Sequence, residues 1–282
     1  MIVRSRMRCY CVNKYRQPLV AMECERPEPR GEEVLVRVQA AGVCHSDLHI
    51  WEGGYDLGNG RFLSLEERGA TLPQVLGHET AGEVVAMGPD ASGVGIGKSY
   101  LVYPWIGCGN CETCRAGDEN LCASSRPLGV LAPGGYSEYI LVPKGKYLLD
   151  LGNVDPAVAA PYACSGLTAY SALKKAGDGI HRQPIVIVAA GGLGLMCVSI
   201  LRALGGKGAV VVDIAPQKRA AALEAGAIAA IDGASADARE QIVSAAGALP
   251  ANVIDFVGSP RTAELGFNLL SKGGKLIMVG LF

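Results

Sequence analysis

The sequence predicts an α/β protein of two parts: an N-terminal, mostly β, barrel-like domain over residues 1–155 and a doubly wound parallel-sheet domain over residues 156–282. Two textures carry this expectation. Up to about Pro143, short apolar stretches alternate with Gly and Pro, the pattern of brief strands joined by tight turns. After about Pro156, Ala/Gly/Leu-rich segments alternate with purely apolar runs, as βαβ units around a sheet buried on both faces require.

In the first part, strands are expected at Val34 to Val38, Gly82 to Met87, Tyr100 to Tyr103 and Tyr136 to Val142. In the second, Ile185 to Ala189 leads into a helix at Leu193 to Leu204, Ala209 to Val212 into a helix at Pro216 to Ala225, and Ala229 to Ile231 into a helix near Ala238 to Ala246. Strands at Val253 to Val257 and Lys275 to Val279 follow, with a helix at Thr262 to Leu270 between them. That makes five strands where a doubly wound sheet usually has six, so the expectation is a chain that stops early, a fragment or incomplete product.

Composition narrows the function classes. A chain of 282 residues, 49% hydrophobic and with a net charge of -1, is long enough for two packed domains and lacks the basic surplus of a nucleic-acid binder. It has no 18-residue apolar run of the kind that spans a bilayer, and Met1 to Tyr10 carries three arginines without an apolar core, unlike a secretion signal. The expected setting is the cytoplasm, without membrane or nucleic-acid partners. Ten cysteines in such a setting point to metal ligation or burial rather than to a disulfide framework. Cys9, Cys11, Cys24 and Cys197 have no ligand-like neighbours and read as small buried hydrophobes.

Cys108, Cys111, Cys114 and Cys122 form the spacing CxxCxxCx7C in a polar, Gly-containing loop. One loop can wrap these four sulfurs around a soft cation at about 2.3 Å, and zinc fits best, with an iron–sulfur cluster as the alternative. A site closed by four thiolates holds a lobe in shape and leaves no position for chemistry. A second polar constellation follows the apolar run Val38 to Val43: Cys44, His45, Ser46, Asp47, Leu48, His49, and then Gly77, His78, Glu79. Three of the four histidines lie there. A catalytic zinc needs about three protein ligands and one open position. Cys44 and His78 offer two; spacing alone does not select the third.

At these residues the sequence resembles the zinc-dependent medium-chain alcohol dehydrogenases. CHSDLH, GHE, the CxxCxxCx7C lobe and CSGLTAYSAL occur in that family's order, from about residue 8 to the end. The resemblance implies a GroES-like catalytic domain followed by an NAD-binding Rossmann domain. It also implies two zinc ions per chain, with Cys44, His78 and Cys164 binding the catalytic one and the four-cysteine lobe binding the structural one. Ser46 and His49 become a proton relay to solvent, and Glu79 and Asp47 acids lying beside the ligands. A cysteine rather than a glutamate at Cys164 favours alcohol dehydrogenases over the polyol branch. The implied reaction moves a hydride between an alcohol and NAD, giving an aldehyde or ketone.

The cofactor is expected at Gly191, Gly192, Leu193 and Gly194, where a strand turns into an apolar helix whose N-terminus suits a pyrophosphate. The first glycine of GxGxxG is replaced by Ala189. Asp213, 22 residues after Gly191, closes the second strand and favours NAD over NADP by meeting the ribose hydroxyls, although Lys218 and Arg219 nearby leave NADP open. The resemblance adds His45 at the pyrophosphate, with a plain loop histidine as the alternative, and Thr168, Val279, Gly280 and Leu281 near the nicotinamide. His181 is given no role.

Relative to the family, Glu52 to Leu72 reads as an insertion at the substrate mouth, suited to bulky or cyclic alcohols, with Trp51 and Trp105 as pocket walls or core. The family forms dimers and tetramers, and a homodimer or homotetramer is expected of the full-length form. The competing readings are a zinc-binding protein of the same fold, or a fragment, without turnover, and a reductase without catalytic zinc. Intact Ser46 and His49 count against the first, and Cys44, His78 and Cys164 against the second.

Overall fold

The computed structural model describes residues 5–280. The chain divides into two compact units, one ending at Cys164 and the other beginning at Ser165.

The first unit contains β1 (Arg6–Val12), β2 (Val20–Glu25), β3 (Val34–Gly42), α1 (His45–Glu52), β4 (Gly54–Asp56), β5 (Phe62–Ser64), β6 (Gln74–Val75), β7 (Glu79–Met87), β8 (Ser99–Val102), α2 (Glu112–Arg115), β9 (Tyr139–Val142), β10 (Leu148–Asp150) and α3 (Pro156–Ala159). An antiparallel sheet in the order β10-β8-β7-β3-β9 forms its centre. Val34, Val36, Val84, Val102, Ile140 and Val142 from that sheet bury together with Tyr100, Tyr147 and Leu148. Burying side chains of this size contributes about 1.5–3 kcal/mol each, which is what holds strands this short in place. A second sheet, β2-β1-β6, and the hairpin β4–β5 complete the unit.

Three differences from the sequence reading have physical causes. β1 and β2 go unmarked although β1 alternates regularly, with Arg6, Arg8 and Tyr10 outward and Met7, Cys9 and Cys11 inward: its inward side chains are Met and Cys rather than Val or Ile, and β2 buries little. The polar run after Cys44, to which the sequence reading assigns no element, is a helix closed at Gly53 in the left-handed conformation (φ 94°). Cys9 and Cys24, read as unpaired hydrophobes, are joined by a disulfide across β1 and β2, a correction no local sequence signal gave.

The second unit contains α4 (Ser165–Ala176), β11 (Ile185–Val188), α5 (Gly192–Ala203), β12 (Ala209–Asp213), α6 (Pro216–Glu224), β13 (Ala229–Asp232), α7 (Ala238–Ala246), β14 (Asn252–Asp255), α8 (Pro260–Leu269) and β15 (Lys275–Met278). All five strands are parallel, in the order β13-β12-β11-β14-β15. Alternate side chains point to opposite faces of a strand. Ile185, Ile187 and Val211 therefore pack with Cys197, Val198 and Leu201 of α5 and with Leu173 of α4. Val186, Val188, Val210 and Val212 pack on the other face with Ile242 of α7 and Leu269 of α8. The pure apolar runs of the sequence thus have a direct cause: both faces of each strand are covered. Among the described residues no helix is long and apolar enough to cross a membrane.

Candidate metal and cofactor sites

The four-cysteine loop closes on itself around α2. Cys111 caps α2, its sulfur accepting from the Cys114 amide at 3.4 Å, and the Cys108 amide donates to Cys122 Sγ at 3.4 Å. Cys108 and Cys114 sulfurs are 3.9 Å apart and those of Cys111 and Cys122 3.8 Å. Four sulfurs at about 2.3 Å from one tetrahedral centre would stand about 3.8 Å from each other. Amide donation from the Asn110 and Cys111 backbone lowers the Cys108 thiol to about 6, whereas burial drives Cys114 up to about 12. Four sulfurs at this spacing fit zinc. Glu119, unremarked in the sequence, ties the lobe down: its carboxylate accepts from Lys146 Nζ at 2.5 Å, Tyr147 OH at 2.6 Å and the Gly107 amide at 3.3 Å. These contacts hold Glu119 below the usual carboxylate range, Lys146 first.

The second cluster is assembled from three distant segments of the first unit. Ligand atoms of Cys44, His78, Glu79 and Cys164 all lie within 4.8 Å of one another. Cys44 sits at the N-terminus of α1, where the helix dipole favours a thiolate. His78 and Glu79 mark the start of β7, and both are buried. Gly77 before them adopts φ 92°, and a Cβ there would strike the Tyr136 ring at 2.5 Å. Cys164 is delivered by the turn Ala160–Ala163, whose alanines pack on Ala81 of β7 and Leu101 of β8. Glu79 is closer than a supporting acid need be, since its carboxylate belongs to the donor set itself; Gly42 makes the room, because a Cβ there would collide with Glu79 Oε2.

Charge explains why this cluster suits a cation. Cys44 and Cys164 sulfurs are 3.8 Å apart, the spacing of the structural lobe. Hydrogen bonding from Cys164 is the largest influence holding the Cys44 thiol down, and the same contact pushes Cys164 up. Burial opposes charge on His78, yet Asp47 and Cys44 outweigh it and raise the imidazole to about 10. Two carboxylates and a thiolate around one imidazole are costly in a buried site, and a divalent cation removes that cost. His78 Nδ1 lies 3.3 Å from Asp47 Oδ1, and both ring nitrogens are buried without a well-formed hydrogen bond among the described residues. These donors fit zinc.

Asp47 organises the surroundings. It accepts from the Cys44 amide at 2.9 Å, the Gly77 amide at 3.3 Å and Tyr136 OH at 3.1 Å. Tyr136 enters the sequence reading only as the start of a strand, and nothing near it in sequence signals the contact, which spans 89 residues. The Asp47 role does have a sequence signal: an acid three residues after an N-cap, closing back on the cap amide. Ser46 and His49 lie on α1, His49 with its ring 5.0 Å from exposed His45 and 4.9 Å from Tyr55 of β4. Trp105 faces His78 at 5.8 Å, whereas Trp51 packs in a side core and donates to the Gln17 carbonyl at 2.6 Å.

In the second unit, the turn from β11 to α5 carries the expected glycines. No atom lies within 4 Å of a Cβ built on Gly191 or Gly192, so the backbone faces open space, and α5 has no side-chain cap. Gly194 has no such room: its Cβ would collide with the Ala189 carbonyl. Leu193 lies in the first turn of α5. Ala189 takes φ 87°, the left-handed backbone that glycine would adopt freely. Asp213 accepts from the Ala190 amide at 2.8 Å and the Ala215 amide at 2.9 Å, which fixes it beside the turn. An uncapped helix start, an open glycine cradle and a fixed acid fit a dinucleotide. Lys218 is exposed, while Arg219 bonds the Asp213 carbonyl at 3.0 Å and pairs with Asp232 at 3.4 Å. Thr168 lies on α4, which packs on α5. Val279 and Gly280 donate to the Asp255 carbonyl at 2.8 and 3.1 Å at the carboxyl edge of the sheet; Leu281 lies outside the described residues.

The chain is similar to known proteins over most of its length. Residues 30–152 match the alcohol dehydrogenase GroES-like domain and residues 192–282 the zinc-binding dehydrogenase domain. An NAD-dependent alcohol dehydrogenase of Sulfurisphaera tokodaii is 40% identical over 94% of this chain and 76% of its own length. A D-arabinose 1-dehydrogenase (NADP(+)) of Saccharolobus solfataricus is 36% identical over 96% of the chain and 75% of its own. The crystal structure of the D-arabinose dehydrogenase from Sulfolobus solfataricus superposes with a TM-score of 0.87 at 33% identity, covering 98% of this chain and 82% of that one. With these relatives spanning nearly all of it, the chain belongs to the alcohol dehydrogenase family of zinc-binding, medium-chain dehydrogenases.

Proposed function

We propose that the chain oxidises an alcohol to an aldehyde or ketone, and runs the reverse reaction, using a catalytic zinc and NAD. The observation that carries this reading is the buried donor set of Cys44, His78, Glu79 and Cys164 next to the polar face of α1. When bound, zinc supplies a Lewis acid that favours loss of the alcohol proton, and NAD supplies the hydride acceptor. Cys44, His78 and Cys164 would hold the metal, with Glu79 as a further or transient ligand. Asp47, its carboxylate 3.3 Å from Nδ1, keeps the His78 ring oriented. Ser46 takes the proton from the substrate oxygen and His49 passes it to solvent. Cys108, Cys111, Cys114 and Cys122 hold a second, structural zinc.

On the cofactor side, the amides of Gly191, Gly192, Leu193 and Gly194 receive the pyrophosphate, helped by His45. Asp213 accepts from the adenosine ribose hydroxyls, Lys218 lies beside them, and Thr168, Val279, Gly280 and Leu281 border the nicotinamide. Arg219, the best-placed cation for a 2′-phosphate, is engaged by Asp213 and Asp232, which favours NAD over NADP. The reading includes a small-molecule alcohol as the only partner besides further copies of the chain, two or four in an assembly, and a cytoplasmic setting. A panel of primary, secondary and polyhydroxylated alcohols tested with NAD and NADP, alongside zinc analysis, examines it. Turnover with NAD at about two zincs per chain is expected; failure with every alcohol rejects the assignment.

A further inference from the structure

One tyrosine touches three of the segments that converge on the buried donor set. Tyr136 is fastened at its backbone: its amide donates to the Leu76 carbonyl at 3.0 Å, and its carbonyl accepts from the Tyr10 amide of β1 at 2.8 Å. Two residues on, the Glu138 amide donates to the Arg8 carbonyl at 3.0 Å, so β1 holds this stretch at both places. The half-buried ring packs against two small cores, one of Cys9, Cys11 and Val75 and the other of Ile50, Leu65 and Leu76. It also fills the space beside Gly77, where a Cβ would stand 2.5 Å from it. Its hydroxyl lies 3.2 Å from the Gly42 carbonyl, at the end of β3, and 3.1 Å from Asp47 Oδ2, in the first turn of α1. The same Oδ2 accepts from the Cys44 amide at 2.9 Å, while Oδ1 accepts from the Gly77 amide at 3.3 Å and lies 3.3 Å from His78 Nδ1.

We propose that Tyr136 is a positioning residue of the catalytic metal cluster: its hydroxyl fixes the Asp47 carboxylate, and through it the His78 ring and the Cys44 end of α1. The inference rests on the catalytic-zinc reading above. A phenol titrates at about pH 10 and carries one proton, so at neutral pH it donates to one acceptor at a time. Of the two acceptors in reach the carboxylate is the stronger, because a charged partner roughly doubles the strength of such a bond. With the Cys44 amide and the phenol both on Oδ2, the carboxylate is kept from turning, and Oδ1 stays toward Gly77 and His78. Tyr136 keeps its proton throughout, and no covalent bond to it forms or breaks.

Tyr136→Phe removes the hydroxyl and keeps the ring beside Gly77. The affinity of the catalytic cluster for zinc, read by chelator competition on the full chain, should fall about tenfold, with the lobe metal retained and the melting transition still cooperative. In an Asp47→Asn background, where the phenol faces a neutral amide, the same substitution should cost at most about twofold. Ser137→Ala serves as a control for the segment: it removes a hydroxyl that reaches the Gly134 and Tyr139 carbonyls at 2.9 and 2.8 Å, and it should leave the zinc affinity unchanged. Unchanged affinity in Tyr136→Phe, a further loss of about tenfold in the Asp47→Asn background, a matching loss in Ser137→Ala, an equal loss from the lobe, or loss of the melting transition would each overturn the role. A wild-type chain that binds zinc at the lobe alone would instead remove the underlying reading.

Discussion

The two candidate cation sites of the first unit share one dimension and differ in almost everything else. Sulfur pairs stand 3.8 to 3.9 Å apart in both. The four-cysteine lobe is drawn from residues 108–122, uses sulfur only and is tied down by one half-buried acid, Glu119. The other cluster gathers residues 44, 78, 79 and 164, mixes sulfur, nitrogen and oxygen, and lies beside a hydroxyl, two imidazoles and a phenol. A closed, uniform set makes a strong structural joint, and a mixed set beside proton-transfer groups makes a reactive one.

That difference predicts different failures. The largest effect is expected in the lobe. Cys114→Ser removes one of four thiolates from a site worth about 10 kcal/mol of folding energy, so the first unit should lose its cooperative melting transition along with one metal. Differential scanning calorimetry with metal analysis checks this, and retention of both metal and transition would mean that the lobe is not a structural metal site.

Next comes Asp47→Asn, which keeps the shape but removes the charge facing His78 and one acceptor for Tyr136. Metal affinity of the catalytic cluster should fall about 10- to 100-fold in a chelator competition, leaving the lobe metal unaffected. An equal loss from both sites would dissolve the distinction between them.

Glu119→Gln is a smaller test of the lobe. The wild-type carboxylate is held below its ordinary range by Lys146, Tyr147 and the Gly107 amide, so its contribution is present above the unfolded carboxylate pKa and is lost as pH falls through the folded one. At neutral pH the variant should be less stable by about 1–2 kcal/mol, and the gap should close on acidification. A gap that is constant with pH would assign the effect to packing. The smallest effect is expected from Ala189→Gly, which relieves a left-handed alanine and should raise the melting temperature by about 2 °C. A lower melting temperature would show that the alanine methyl is packed rather than strained.

The same contrast explains what the sequence made legible. The lobe could be read from spacing because its ligands are neighbours. Strands of the second unit could be read because burial on both faces leaves apolar runs such as Ile185 to Val188. Asp47 could have been placed from capping chemistry. Cys164, Tyr136 and Tyr55 could not, since each reaches its partners through tertiary packing: Cys164 only entered through family resemblance, Tyr136 meets Asp47 across 89 residues, and Tyr55 arrives on a hairpin with no polar signature of its own. The Cys9–Cys24 disulfide belongs with them, because strand pairing and not spacing brings those sulfurs together.

Central to the proposed function are two cations per chain, of which one alone serves the reaction. Metal content and turnover of the wild type measured beside Cys44→Ala test this most directly. Two zincs and alcohol oxidation are predicted for the wild type, and for the variant one zinc, wild-type folding and no turnover. Two zincs with intact turnover in Cys44→Ala would contradict it.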